Sequence, residues 1–157
     1  EAWLWLGIAL THTLHYSKEH PKGERNLTDA EVNEALDAFR SAYERQSHDI
    51  AYVSYFGDAL MELRRDFDTA RKLWDSFLPV AKDDIQRVTA LTQAARACLN
   101  KAYFGKSGNT LSAEQAKQAY LDAQNYVVRA AKIVPKAACV RDMQALLQQY
   151  RKYLTGK

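Results

Sequence analysis

The feature that most constrains this chain is a broken helical stripe between Ile50 and Lys82. Val53, Phe56, Gly57, Leu60 and Leu63 recur at steps of three and four, which is one face of a helix over Ile50–Arg64. Asp66-Phe67-Asp68 interrupts the pattern, and a second stripe follows with Ala70, Leu73, Trp74 and Phe77. Two short amphipathic helices joined by a turn cannot bury both apolar faces alone, so other helices must stack beside them. The chain offers such helices: only 3 prolines and 6 glycines occur in 157 residues, and 47% of residues are hydrophobic, enough for one domain with a sizeable core.

The N-terminal stretch Ala2–Leu10 repeats the first half of the pattern with Trp3, Leu6, Gly7 and Leu10. Set beside Val53-x-x-Phe56-Gly57 and Ala70-x-x-x-Trp74-x-x-Phe77, these motifs resemble the tetratricopeptide repeat, which pairs a W-x-x-L-G helix with an A-x-x-x-F helix. In that family the glycine lets two helix backbones approach where any side chain would hold them apart. The resemblance implies an all-α fold, antiparallel helix pairs stacked as a right-handed superhelix, with units over about 1–48, 50–82 and 84–135 and a capping helix over about 138–154.

The outer units carry insertions. In the first, a polar stretch over Thr11–Asn26, with breakers at His20-Pro21-Lys22-Gly23, precedes Leu27-Thr28-Asp29-Ala30-Glu31. Thr28 and Glu31 are spaced as a capping box, Leu27 can staple onto Val32, and the helix continues through Ala35, Phe39 and Ala42. The third unit starts with an alanine-rich helix over Asp83–Phe104, with Val88, Leu91, Ala94, Ala95, Cys98 and Leu99 on its apolar side. The family's glycine is absent there, and Thr92 or Ala95 can stand in for it. Gly105–Asn109 reads as a loop, Ser112 and Gln115 as a second capping box, and Ala123, Val127, Ala130 and Pro135 as the end of the unit. The last helix, over about 138–154, has Val140, Met143, Leu146, Leu147 and Tyr150 on one side and a polar face on the other, as a cap should.

Charge and reactive residues point away from several functions. A net charge of +3, spread along the chain, implies no direct nucleic-acid partner, and Ala2–Leu10 is too short to insert in a membrane. Cys98 and Cys139 lie in separate helices and read as buried free thiols. His12 and His15 share a helix face near His20, a spacing that suits zinc or haem, although Glu19 is the only acid nearby and a solvated helix end explains them as well. Asp58 and Glu62 form an acid pair without a nucleophile or phosphate loop, and Gly105-Lys106-Ser107-Gly108 lacks P-loop spacing. Arg64, Arg65, Arg71 and Lys72, interleaved with Asp66, Asp68 and Asp75, read as a solvated surface with local pairing. No enzyme and no cofactor is expected.

What the resemblance implies about function is a groove lined by first helices and binding a partner protein or peptide. Its positions fall on Leu4, Ile8, Thr11 and His12 in the first unit, on Ser54, Asp58, Met61 and Glu62 in the second, and on Thr89, Gln93 and Arg96 in the third. Leu4, Ile8 and Met61 beside Asp58 and Glu62 suit a partner with apolar anchors and some positive charge. Two other readings stay open: the helical-repeat sensor arm of a bacterial transcriptional regulator, and a metal- or haem-handling helical protein using His12, His15 and His20. A start at Glu1, almost inside a repeat, reads as a piece cut from a longer protein.

Overall fold

A computed structural model describes residues 28–156. The expected first helix, its glycine Gly7 and the loop over Thr11–Asn26 lie outside them. The described residues are all-helical: α1 (Asp29–Arg45), α2 (Ile50–Ala59) continued by a π turn (Leu60–Arg64), α3 (Phe67–Phe77) followed by a 3-10 turn (Leu78–Val80), α4 (Asp84–Ser107), α5 (Ala113–Ile133) and α6 (Ala138–Thr155). The chain forms two compact units, Glu1–Arg64 and Arg65–Lys157, so the boundary falls inside the stretch that the sequence reads as the middle repeat.

Helix starts are set by short side chains next to them in sequence. Thr28 Oγ1 accepts from the Glu31 amide at 3.3 Å while the Glu31 carboxylate accepts from the Thr28 amide at 2.8 Å. At α5 the Gln115 amide donates to Ser112 Oγ at 3.1 Å and the Ser112 amide to Gln115 Oε1 at 2.9 Å. Both expected capping boxes are therefore present. Asp49, Asp66 and Asp83 cap α2, α3 and α4, each accepting from an amide two or three residues on, which satisfies donors that no helix turn can reach. Helix α5 stops at Ile133, just before Pro135.

In the first unit α1 packs on α2, and the seam is partly aromatic: Phe39 stacks on Tyr55 at 6.5 Å and Tyr43 meets Phe56 at 5.7 Å. The expected stripe holds through Val53, Phe56, Gly57 and Leu60, and then the π turn changes it. Bonding five residues on makes a wider turn than 3.6-residue periodicity allows for. Met61 is turned into the core at 3% exposure, and Leu63 ends half-buried. The same turn aims Arg64 at the start of α1, where its guanidinium donates to Asp29 Oδ1 at 3.0 Å and Asn33 Oδ1 at 2.6 Å.

The second unit is organised on α4, which packs against α3, α5 and α6. Ala90, Ala94, Ala95, Ala97 and Ala102 are fully buried, as are Ala116, Ala123 and Ala130 of α5. Thr92 and Ala95, the two stand-ins for the missing glycine, are both buried. Helix α4 runs past the expected loop start: Gly105 is helical and buried, its carbonyl accepting from the Thr110 and Leu111 amides at 2.9 and 3.0 Å. A Cβ at Gly105 would stand 2.5 Å from Leu111 Cγ. On α6, Val140, Met143, Leu147 and Leu154 are buried, whereas Leu146, expected with them, is 38% exposed because it points about a quarter turn away from the centre of that row.

Two outcomes are expected. Thr28→Ala and Ser112→Ala should each lower the unfolding free energy in urea by about 1 kcal/mol, and Ser112→Asn should keep most of it. Gly105→Ala should cost about 1–3 kcal/mol through overpacking, and the loss should shrink when the two variants are compared in a Leu111→Ala background, which removes the two closest atoms and keeps the Leu111 Cβ at 3.2 Å.

Candidate functional site

The positions expected to line a groove fall in both units, and each unit is considered by itself. In the first, Ser54 is half-buried with its hydroxyl donating to the Ile50 carbonyl at 2.8 Å. Asp58 is half-buried, Glu62 is exposed, and Met61 is a core residue instead of an apolar surface anchor. Leu4, Ile8, Thr11 and His12 lie outside the described residues, together with His15 and His20. In the second unit Thr89, Gln93 and Arg96 are all half-buried, at steps of four and three along α4, and so share one face of it. Gln93 Oε1 is buried and accepts no hydrogen bond.

The opposite face of α4 carries a site the sequence reading passed over. Counting 100° per residue, Cys98 points about half a revolution, and Lys101 about a third, away from the row of Thr89, Gln93 and Arg96. They form the floor of a cleft of about 470 Å³ whose walls come from α3 and α5. The α5 wall is a row at helical spacing: Gln115, Gln118, Asp122, Asn125 and Arg129. Ala116, Ala123, Val127 and Ala130 hold the other side of α5 in the core, which fixes this row toward the cleft rim. From α3 come Asp68 and Arg71.

Charges in this cleft are tied across helices. Lys101 Nζ donates to both Asp68 oxygens at 2.8 and 2.7 Å. The Tyr126 hydroxyl donates to Asp75 at 2.7 Å, and Arg71 donates to the same carboxylate at 3.2 Å. Arg129 lies over the Tyr126 ring at 5.3 Å. Arg71, read from sequence as part of a solvated surface, is thus half-buried and engaged with α5. Its hydrogen bond with Tyr126 raises its pKa, so it stays charged. Burial raises the Tyr126 pKa, and burial pushes the Cys98 thiol up from 9.0 to about 12, against the opposing field of Arg71. A thiol so held is protonated and a poor nucleophile.

A second cleft of about 340 Å³ adjoins the first and shares Asp68, Lys101 and Leu111 with it. Phe67 and Phe104 stack there at 5.8 Å and 6°, and the Arg65 guanidinium covers the Phe104 ring at 4.6 Å. Arg65 holds a left-handed backbone, φ 54°, which a non-glycine residue adopts only when its surroundings impose it. Among the described residues no three His, Cys, Asp or Glu side chains are placed to hold a metal, and both cysteines are free. No family model, curated protein or solved structure matches this chain.

The raised pKa values set a pH dependence. The folded chain keeps protons on Cys98 and Tyr126 that the unfolded chain releases at lower pH. The stability they contribute is complete below pH 9 and is lost as pH climbs toward 12. Denaturant midpoints should therefore fall over that window, and less steeply in Cys98→Ala. At pH 8 an aromatic disulfide reagent should label the half-buried Cys139 in the folded protein, and Cys98 only after unfolding.

Proposed function

We propose that this chain is a non-catalytic interaction scaffold of tetratricopeptide-like build, holding a partner protein or peptide along the face of its first helices. The observation that carries this reading is the packing of α4. It touches both sequence neighbours, α3 and α5, and also α6, the helix two places on. In a stack of helix pairs the first helices of successive pairs touch each other as well as their own second helices. On this reading α4 and α6 are first helices, α3 and α5 second helices, and the pairs follow a right-handed superhelix.

The partner-binding surface would include Thr89, Gln93 and Arg96 on α4. In the first unit Asp58 and Glu62 supply acidic character and favour a partner with positive charge. No cofactor, nucleic-acid contact or membrane insertion enters this reading; among the described residues no helix is long and apolar enough to cross a membrane.

The reading is tested by affinity capture with quantified recovery. The wild type should capture a defined partner that Asp58→Lys/Glu62→Lys loses, with far-UV circular dichroism unchanged. Lys72→Glu, on an exposed position of α3, is the control and should retain it. Arg71 is unsuited to that role because it is bonded to Asp75. Loss in Lys72→Glu with retention in the acidic-pair variant would place the binding surface elsewhere.

A further inference from the structure

We propose that the trough between α3 and α5 is a second binding site, taking an extended peptide segment with an apolar residue and an acidic residue about six positions apart. It lies on the side of α4 opposite Thr89, Gln93 and Arg96, so it neither requires nor duplicates the surface proposed above.

The two clefts share Asp68, Lys101 and Leu111 and are therefore one continuous trough. Its α5 wall runs from Gln115 to Arg129. Those fourteen residue steps span about 21 Å at 1.5 Å per residue, the length of about six extended residues.

The wall chemistry suits a main chain. Side-chain amides carry a donor and an acceptor together, and so can pair with backbone N–H and C=O groups in either chain direction. The Asn125 side chain makes no hydrogen bond among the described residues, and the Gln115 side-chain nitrogen makes none, its oxygen alone being used by the Ser112 amide. A compact small molecule would call for a more enclosed and more apolar lining.

The two ends set the sequence of the occupant. Arg71 and Lys101 are each matched by a carboxylate, and Asp122 accepts from the Gln118 amide at 3.0 Å. Arg129 has no hydrogen bond or ion pair among the described residues. Its guanidinium is held over Tyr126, whose hydroxyl is fixed by Asp75. A guanidinium positioned in advance loses little freedom on binding and can meet a carboxylate with two parallel hydrogen bonds. At the other end Phe67, Phe104 and Leu111, with the backbone of Gly105 and Gly108, supply the apolar part of a recess for one side chain, rimmed by Arg65, Asp66 and Lys101.

The test uses the full chain, labelled with nitrogen-15, and two synthetic heptapeptides: acetyl-Leu-Ser-Ala-Ser-Ala-Ser-Glu-amide and the same residues in reverse order. Saturable shifts are expected for at least one of them at the side-chain amides of Gln115, Gln118 and Asn125 and at the backbone of Phe104 and Gly105. Replacing the peptide's glutamate by glutamine should weaken binding about tenfold, the worth of a hydrogen bond to a charged group. Arg129→Gln should erase that difference while leaving the melting temperature unchanged. The proposal is overturned if neither peptide gives saturable shifts, if the shifts fall on Thr89, Gln93 and Arg96 instead, or if the glutamate and glutamine peptides bind equally. It is also overturned if sodium acetate alone reproduces the whole pattern, which would leave a simple anion contact at Arg129.

Discussion

The second unit depends on the burial of α4 by side chains no larger than a methyl group at five positions. With Ala90, Ala94, Ala95, Ala97 and Ala102 fully covered beside Val88, Leu91 and Leu99, α4 is short-sided over much of its buried surface, and three other helices pack on it. The large side chains that fill the remaining space come mainly from the surrounding helices: Trp74 and Phe77 from α3, Tyr120 from α5, Leu154 from α6. Large residues in the outer helices facing small ones in the central helix is a division that close packing rewards. A larger side chain at any of these five positions would have to displace a packed neighbour.

That division also determines where polar chemistry can sit. A helix covered on several sides leaves few directions for polar groups, and α4 has two, between a third and a half of a revolution apart. Thr89, Gln93 and Arg96 occupy one, Cys98 and Lys101 the other. Toward the second direction α3 and α5 turn their own polar rows, and the charges that meet there are matched across helices by Lys101–Asp68 and Arg71–Asp75–Tyr126. The cation–π and carboxylate contacts of Tyr126 make it the hinge-pin of the trough: it is buried, yet its hydroxyl and ring face each support a charged group.

Local chemistry was legible in the sequence and cross-helix chemistry was not. Thr28 with Glu31 and Ser112 with Gln115 could be read because a cap is made by residues three apart, whatever surrounds them. All-helical character followed from periodicity for the same reason. The π turn at Leu60–Arg64 escapes stripe counting, which assumes an unchanged turn, and Met61, a groove position by the resemblance, is a core residue. Gly105 reads as a loop because the contact that keeps it helical and buried, with Leu111, is made only once the chain has turned back. Tyr126 meets Asp75 across 51 positions; the regular polar row of α5 was the available signal, and it resembled any solvated helix face.

The start of α6 carries a consequence for the order in which the structure opens. Ala137 caps that helix without any side-chain acceptor, whereas every other described helix has one. Its first turn is held by the burial of Val140 and Met143, and its middle by the hydrogen bond from the Tyr120 hydroxyl to the Leu147 carbonyl at 3.0 Å. In hydrogen–deuterium exchange α6 would behave as a separate cooperative segment, its amides exchanging through a partial opening cheaper than global unfolding. Such an opening uncovers one flank of α4 and α5 and leaves α3 in place, so the first exposed apolar surface of this unit would belong to its C-terminal end.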